Sequence, residues 1–314
     1  MLYGPAMLRT ALALSASLML AGAGPGEPRA LVSQVNPLTV QDDDFARHRD
    51  PAEWKSLKVR RIEFRDERAA WRLWRIDNVR RRKGPLWFVP HDNENGGFEA
   101  ALAAVRTYGG TIIAVDSAVA GNPDGVRMNH AVDYGRPIDP NRNFDDALPF
   151  YAREVLLAQR QGAWPIIALH TNAPGFDPRD SRCNQSDPSG SGVISIRFCD
   201  DTLIPSASLG RVWPFDDDDS VAFATFRAKG TPSDAWCRDQ LVALDFNVVQ
   251  ERVVTSDGSL SNYAVLRGID YLNFETQDRG LSAPGLAEMR DRLLYMIDHA
   301  LAGCAPRVKA ARRR

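Results

Sequence analysis

His91, Glu94 and His170 are the residues of this chain whose types and spacing could do hydrolytic chemistry. Two imidazoles and one carboxylate make up the three protein ligands of a catalytic divalent ion, with a fourth position left for water. In His91-Asp-Asn-Glu94, followed at once by Gly96-Gly97, a single turn at the start of a helix can aim both side chains at one ion. His170 closes the apolar run Pro165-Ile-Ile-Ala-Leu169. The chemistry this set would support is hydrolysis of an amide. His48, His130 and His299 lack such a setting and read as ordinary core or surface histidines.

The elements that must position these residues follow from the apolar pattern. Near alternation in Val59–Phe64 and Trp71–Ile76 predicts an antiparallel strand pair. Leu86–Val89 and Thr111–Val115 are short apolar runs of the kind buried on both faces of a sheet, with a helix predicted over residues 97–107 between them. A second helix is predicted over residues 146–161, then a strand at Ile166–Leu169. Further on come a helix at 233–244, short strands at Asn247–Val249 and Tyr271–Phe274, and a last helix at 284–301. Alternating strands and helices imply an α/β sheet. His91 follows one predicted strand, and His170 and Glu275 terminate two others; ligands collect at the carboxyl ends of such strands.

Composition places the chain among ordinary globular proteins: of 314 residues, 44% are hydrophobic and 25% charged. A formal charge of −1 predicts no polyanion partner, so nucleic acid is not expected; Arg80–Lys83 and Arg312–Arg314 read as solvated basic runs. Residues 1–23 combine a positive start, a short apolar core and a small-residue exit, the order of a secretory signal. No later segment is apolar enough to span a bilayer, so a soluble exported protein, periplasmic or secreted, is expected, and a monomer. Residues 24–55 read as a linker or loosely docked N-terminal arm, 56–304 as one catalytic domain, and 305–314 as a basic tail. Residues 172–229, rich in Pro, Gly, Ser and Asp, read as a long loop-rich insertion. Within it, Asp216–Asp219 lacks calcium-loop spacing and reads as a solvated acidic loop. Export favours disulfides for the four cysteines, and the pairing preferred is Cys183 with Cys199 and Cys237 with Cys304.

Taken together, the motifs resemble the zinc carboxypeptidase superfamily, including its aspartoacylase and succinylglutamate desuccinylase branch. His91-Asp-Asn-Glu-Asn-Gly-Gly97 is similar to the first metal motif of the deacylase branch, and Ala168-Leu-His-Thr171 to its third-ligand strand. Asn122-Pro-Asp-Gly125, Asp139-Pro-Asn-Arg-Asn-Phe-Asp145, Gly258–Tyr263 and Gly268–Glu275 with Asp278-Arg-Gly280 follow in the family's order, from roughly residue 85 to 280. The resemblance implies a single α/β domain, its central mixed, largely parallel twisted sheet flanked by helices. It implies one Zn²⁺ on His91, Glu94 and His170, and Glu275 as the general base. Asn141 and Arg142 would hold a substrate carboxylate, for which the guanidinium fork is suited. For the arginine facing the developing oxyanion, Arg127 and Arg136 are both candidates, with Arg127 preferred.

Departures from the family bear on substrate. Arg252–Ser256 stands where digestive carboxypeptidases carry a mobile tyrosine, and Asn262, small and polar, corresponds roughly to the side-chain specificity position. The implied substrates are short peptides with a free carboxylate, with peptidoglycan stem peptides the match for an exported enzyme. The alternatives are N-acyl amino acids, as for the deacylase branch, or ligand binding without turnover.

Overall fold

The computed structural model describes residues 29–117, 125–129, 137–147, 149–159, 164–172, 194 and 202–310. The expected hairpin forms as β2 (Leu57–Arg65) and β3 (Ala70–Asn78), antiparallel, with Phe64 opposite Trp71. The apolar runs become β4 (Leu86–Val89), β5 (Thr111–Val115) and β6 (Ile166–Asn172), and β10 (Tyr271–Gln277) lies beside β6. With β1 (Leu31–Gln34), β7 (Leu203–Ser206), β8 (Val221–Arg227) and β9 (Val248–Val253), they form one ten-stranded sheet in the order β1-β2-β3-β5-β4-β6-β10-β8-β9-β7. The four central strands β5, β4, β6 and β10 run parallel; antiparallel partners β3 and β8 flank them. The sheet is therefore mixed and flanked by helices, as expected, with its continuous parallel stretch at the centre.

Alternate residues of the central strands feed two cores, which is why these runs are apolar throughout. Trp87, Val89, Ile112, Ala114, Ile167 and Leu169 pack under α2 (Asn95–Tyr108) and α6 (Ala283–Cys304). Leu86, Phe88, Ile113, Val115, Ile166 and Ala168 pack with Phe150 and Tyr151 of α3 (Pro149–Leu156) and Leu260 and Ala264 of α5 (Leu260–Arg267). From β4 the chain passes through α2 to β5 on one side, whereas β6 joins β4 on the other. The order thus reverses between β4 and β6, and a crevice opens at their carboxyl ends.

Gly96 and Gly97 set the height of α2 in this crevice. A Cβ on Gly96 would lie 2.7 Å from Met289 Cβ of α6, and one on Gly97 would lie 2.9 Å from the Leu169 carbonyl oxygen of β6. The missing side chains let the first turn of α2 approach β6 at the residue before His170.

Three expectations need correction. Residues 29–55 are not a loose arm: they supply β1 and a short helix, α1 (Asp43–Ala46), and Phe45 and Trp54 stack at 5.2 Å in the core. Arg47 ties this segment to α2 through Glu99 at 3.1 Å and Asn95 at 2.7 Å. Residues 202–229 are not a loop-rich insertion, since β8 is a buried strand against β10 and β7 pairs with β9. Asp216–Asp219 is a loop with Asp216 exposed, as expected, but it is not simply solvated: Arg292 meets Asp216 and Asp217 at 2.7 and 2.9 Å, Arg279 meets Asp217, Arg211 meets Asp218, and Asp219 is buried.

Cys237 and Cys304 are joined as expected, tying the start of α4 (Arg238–Ala243) to the end of α6. Cys183, Cys199, the signal-like residues 1–23 and the end of the basic tail lie outside the described residues. Among the described residues no helix is long and apolar enough to cross a membrane.

Candidate metal centre

β4 delivers His91 two residues past its end, a tight turn follows in which the Glu94 amide donates to the His91 carbonyl at 3.1 Å, and α2 starts at Asn95. Glu94 makes no capping bond to its own helix; its carboxylate turns into the crevice. His91 Nδ1 stands 2.7 Å from Glu94 Oε1, and His170 Nδ1 stands 2.9 Å from Glu94 Oε2 and 3.2 Å from His91 Nδ1. All three side chains are buried. His170 and Glu275 do not terminate their strands, as the apolar runs suggested; β6 and β10 each continue two residues further because Thr171 and Thr276 are buried on the opposite face.

These donors fit a divalent cation. Tetrahedral bonds of about 2.0–2.1 Å place two imidazole nitrogens ~3.3 Å apart, close to the spacing seen here. Two buried ring nitrogens facing each other repel unless a proton or cation lies between them and the carboxylate. His91 Nε2 donates to Asp139 Oδ1 at 2.8 Å, which holds the proton on Nε2 and turns the Nδ1 lone pair towards Glu94 and His170. His170 Nε2 is buried with no hydrogen-bond partner among the described residues, where Nδ1 is its one engaged nitrogen.

Charge is balanced within the site. Burial works to raise the Glu94 pKa, but the charges and hydrogen bonds of His91 and His170 overcome it and hold the group far below the usual carboxylate range. The amide of Thr171 also donates to Glu94 Oε2 at 3.1 Å. Burial works to lower the His91 pKa, and Glu94 and Asp139 outweigh it, so His91 is raised. Burial likewise opposes ionisation of Asp139, yet the hydrogen bond and charge of His91 bring it down to about 2.

The remaining site residues surround this core. Glu275 is the register partner of His170, so both side chains leave the sheet on the same face, and Asn273 Nδ2 donates to Glu275 Oε1 at 2.9 Å. Arg127 Nη1 lies 2.6 Å from Glu94 Oε1 and its Nη2 lies 3.4 Å from Asp139 Oδ2. Arg136 and residues 122–124 of the Asn-Pro-Asp-Gly stretch lie outside the described residues, as does His130. Asn141 and Arg142 sit in a 3-10 turn, Pro140–Arg142, capped by Asp139. Half-exposed Arg142 pairs through Nε with Asp257 Oδ2 at 3.3 Å. Asn262 is buried on α5 and donates to Asp257 Oδ1 at 2.8 Å, reaching Arg142 through that carboxylate.

Sequence reasoning missed Asp139, Asp257 and Asn273. A partner for the second histidine nitrogen was to be expected, but only the folded chain shows that Asp139, 48 residues away, supplies it. A second group also went unseen: Asp42, Asp92 and Asp116 bring buried carboxylates within 4.8 Å of one another. Burial, then Asp116 and Asp43, push Asp42 up to about 7.

No family model matches the sequence, and no curated protein matches it. Several solved structures are similar at low identity. A candidate metallopeptidase from Shewanella amazonensis has a TM-score of 0.44 at 12% identity, covering 88% of this chain and 100% of that one. Succinylglutamate desuccinylase from Chromobacterium violaceum has a TM-score of 0.39 at 14% identity, covering 78% and 70%. The tripeptide-bound cell shape determinant Csd4 from Helicobacter pylori has a TM-score of 0.41 at 15% identity, covering 74% of this chain and 54% of that protein. At these scores the likenesses assign no residue a role.

Proposed function

We propose that this chain is an exported zinc-dependent amide hydrolase of the metallocarboxypeptidase type, acting on short peptides with a free carboxylate, peptidoglycan stem peptides being the substrate class. The observation that carries the reading is the buried convergence of His91 Nδ1, Glu94 and His170 Nδ1, with the His91 tautomer set by Asp139. Bound there, zinc would polarise the scissile carbonyl and lower the pKa of the attacking water. Glu275, on the His170 face of the sheet, takes the proton of that water and returns it to the leaving amine. Asn273 holds one oxygen of Glu275 and so fixes the direction of the other. Arg142, its Nε edge taken by Asp257, turns its Nη edge to the substrate carboxylate. Arg127, half-exposed and already among the metal donors, supplies positive charge for the developing oxyanion.

The test is hydrolysis of muropeptide stem peptides beside N-succinyl and N-acetyl amino acids, each with and without a chelator. Chelator-sensitive cleavage of the peptides is expected. Turnover confined to the N-acyl amino acids would replace this reading with a deacylase, and tight binding without turnover on either set would replace it with a binding protein.

A further inference from the structure

We infer that Asp92 and Ser117 form a buried clasp that positions Arg127. Asp92 stands between two of the metal donors in His91-Asp-Asn-Glu94, yet its carboxylate takes no part in their cluster. Its Oδ2 accepts the Ser117 amide at 2.7 Å and lies 3.2 Å from Ser117 Oγ. Ser117 Oγ donates to the Val126 carbonyl at 2.5 Å and accepts from the Val126 amide at 3.0 Å. Asp92 and Ser117 are both buried. Gly125 completes the contact: at φ +71° it lies so close that a Cβ would fall 2.3 Å from Asp92 Oδ2.

The next residue after Val126 is Arg127, whose guanidinium spans Glu94 and Asp139. Its side chain is about half exposed and is held at its tip by those two carboxylates, so the placement of its backbone decides the side from which the guanidinium reaches them. Ser117 holds both polar backbone groups of Val126 and hangs from Asp92, which is covalently adjacent to His91. The turn that sets the metal donors thereby also sets the origin of the arginine. Asp92 and Ser117 are positioning residues; Arg127 is the group they place. The inference rests on the reading of Arg127 as the charge facing the reacting carbonyl, and its test separates the two.

Ser117→Ala, Arg127→Ala and the double variant are compared with the parent for kcat, KM and bound zinc, and the metal-free parent and Ser117→Ala proteins, which both keep the Arg127 site, are digested with trypsin, with cleavage after Arg127 followed by mass. Ser117→Ala is expected to lower kcat about ten- to a hundredfold with KM and zinc content near the parent's. Cleavage after Arg127 should speed up roughly tenfold, because loss of a buried hydrogen bond raises the population of the opened segment. The double variant should be no slower than Arg127→Ala alone, whereas a merely structural role for Ser117 gives losses that multiply. Multiplying losses, or unchanged trypsin cleavage, would overturn the clasp. Parental turnover in Arg127→Ala would instead remove the catalytic reading of Arg127, leaving the clasp to be decided by cleavage alone. Should Ser117→Ala fail to fold, Ser117→Cys, which keeps the shape and a weaker donor, must show the same non-multiplying loss at smaller size.

Discussion

Removing Asp139 should weaken zinc binding without removing a ligand. Asp139 Oδ1 accepts from His91 Nε2 and from the Asn141 amide, both at 2.8 Å, and its low pKa keeps it a carboxylate throughout the working range. With Ala at this position, His91 loses the partner that fixes both tautomer and ring orientation. Loss of such an outer partner costs about 10- to 100-fold in metal affinity, or ~1.4–2.7 kcal/mol. The size should depend on pH, and the sign follows from His91. In the metal-free protein Asp139 and Glu94 raise the His91 pKa, so a proton competes with the metal at low pH. Asp139→Ala weakens that competitor as well as the metal, so the affinity ratio of parent to variant should be largest near about pH 8 and smaller near about pH 6. Asp139→Asn, which keeps an acceptor oxygen but no charge, should lose less. Competition titrations against a calibrated chelator measure all three proteins at both pH values. Parental affinity in Asp139→Ala at the higher pH would refute the reasoning.

Glu275→Gln should retain its zinc and its bond to Asn273 while losing about 10²–10⁴-fold in kcat, the range for a missing general base; parental turnover would remove Glu275 from that role. Arg142→Ala should raise KM for peptides with a free carboxylate and leave C-terminally amidated ones nearly unaffected, and an equal loss on both would contradict the clamp. Asp42, raised to about 7 in the fold against ~3.9 in an unfolded chain, binds a proton the unfolded chain releases. Its share of stability is therefore present below about pH 4 and lost as pH rises through about 7, so thermal unfolding of the metal-free protein should show that decline and Asp42→Asn should flatten it; an unchanged slope would count against the three-aspartate cluster.

What could be read from the sequence was the placement of strands from long apolar runs and of candidate donors from short motifs. Leu86–Val89, Thr111–Val115 and Ile166–Leu169 could be read because strands buried on both faces need apolar residues at every position. The convergence of His91, Glu94 and His170 could be expected because both histidines were placed at predicted strand ends, with a carboxylate one turn after the first. Val221–Arg227 was missed although its residues are mostly apolar, because the surrounding Pro, Gly and Asp set the reading of the whole segment. The arginines that neutralise Asp216, Asp217 and Asp218 come from residues 211, 279 and 292, and no local pattern links them. Asp139 and Asp257 belong to the same class: each is a single carboxylate whose meaning depends on a partner brought in by the tertiary fold.

Calorimetric titration of zinc into the metal-stripped chain, repeated on His91→Ala, Glu94→Gln and His170→Ala, tests the central claim most directly. The geometry predicts one tight site per chain in the parent, weakened by orders of magnitude in each variant. A parent that binds no zinc, or a His170→Ala variant that binds it as tightly as the parent, would contradict a shared ion among these three side chains.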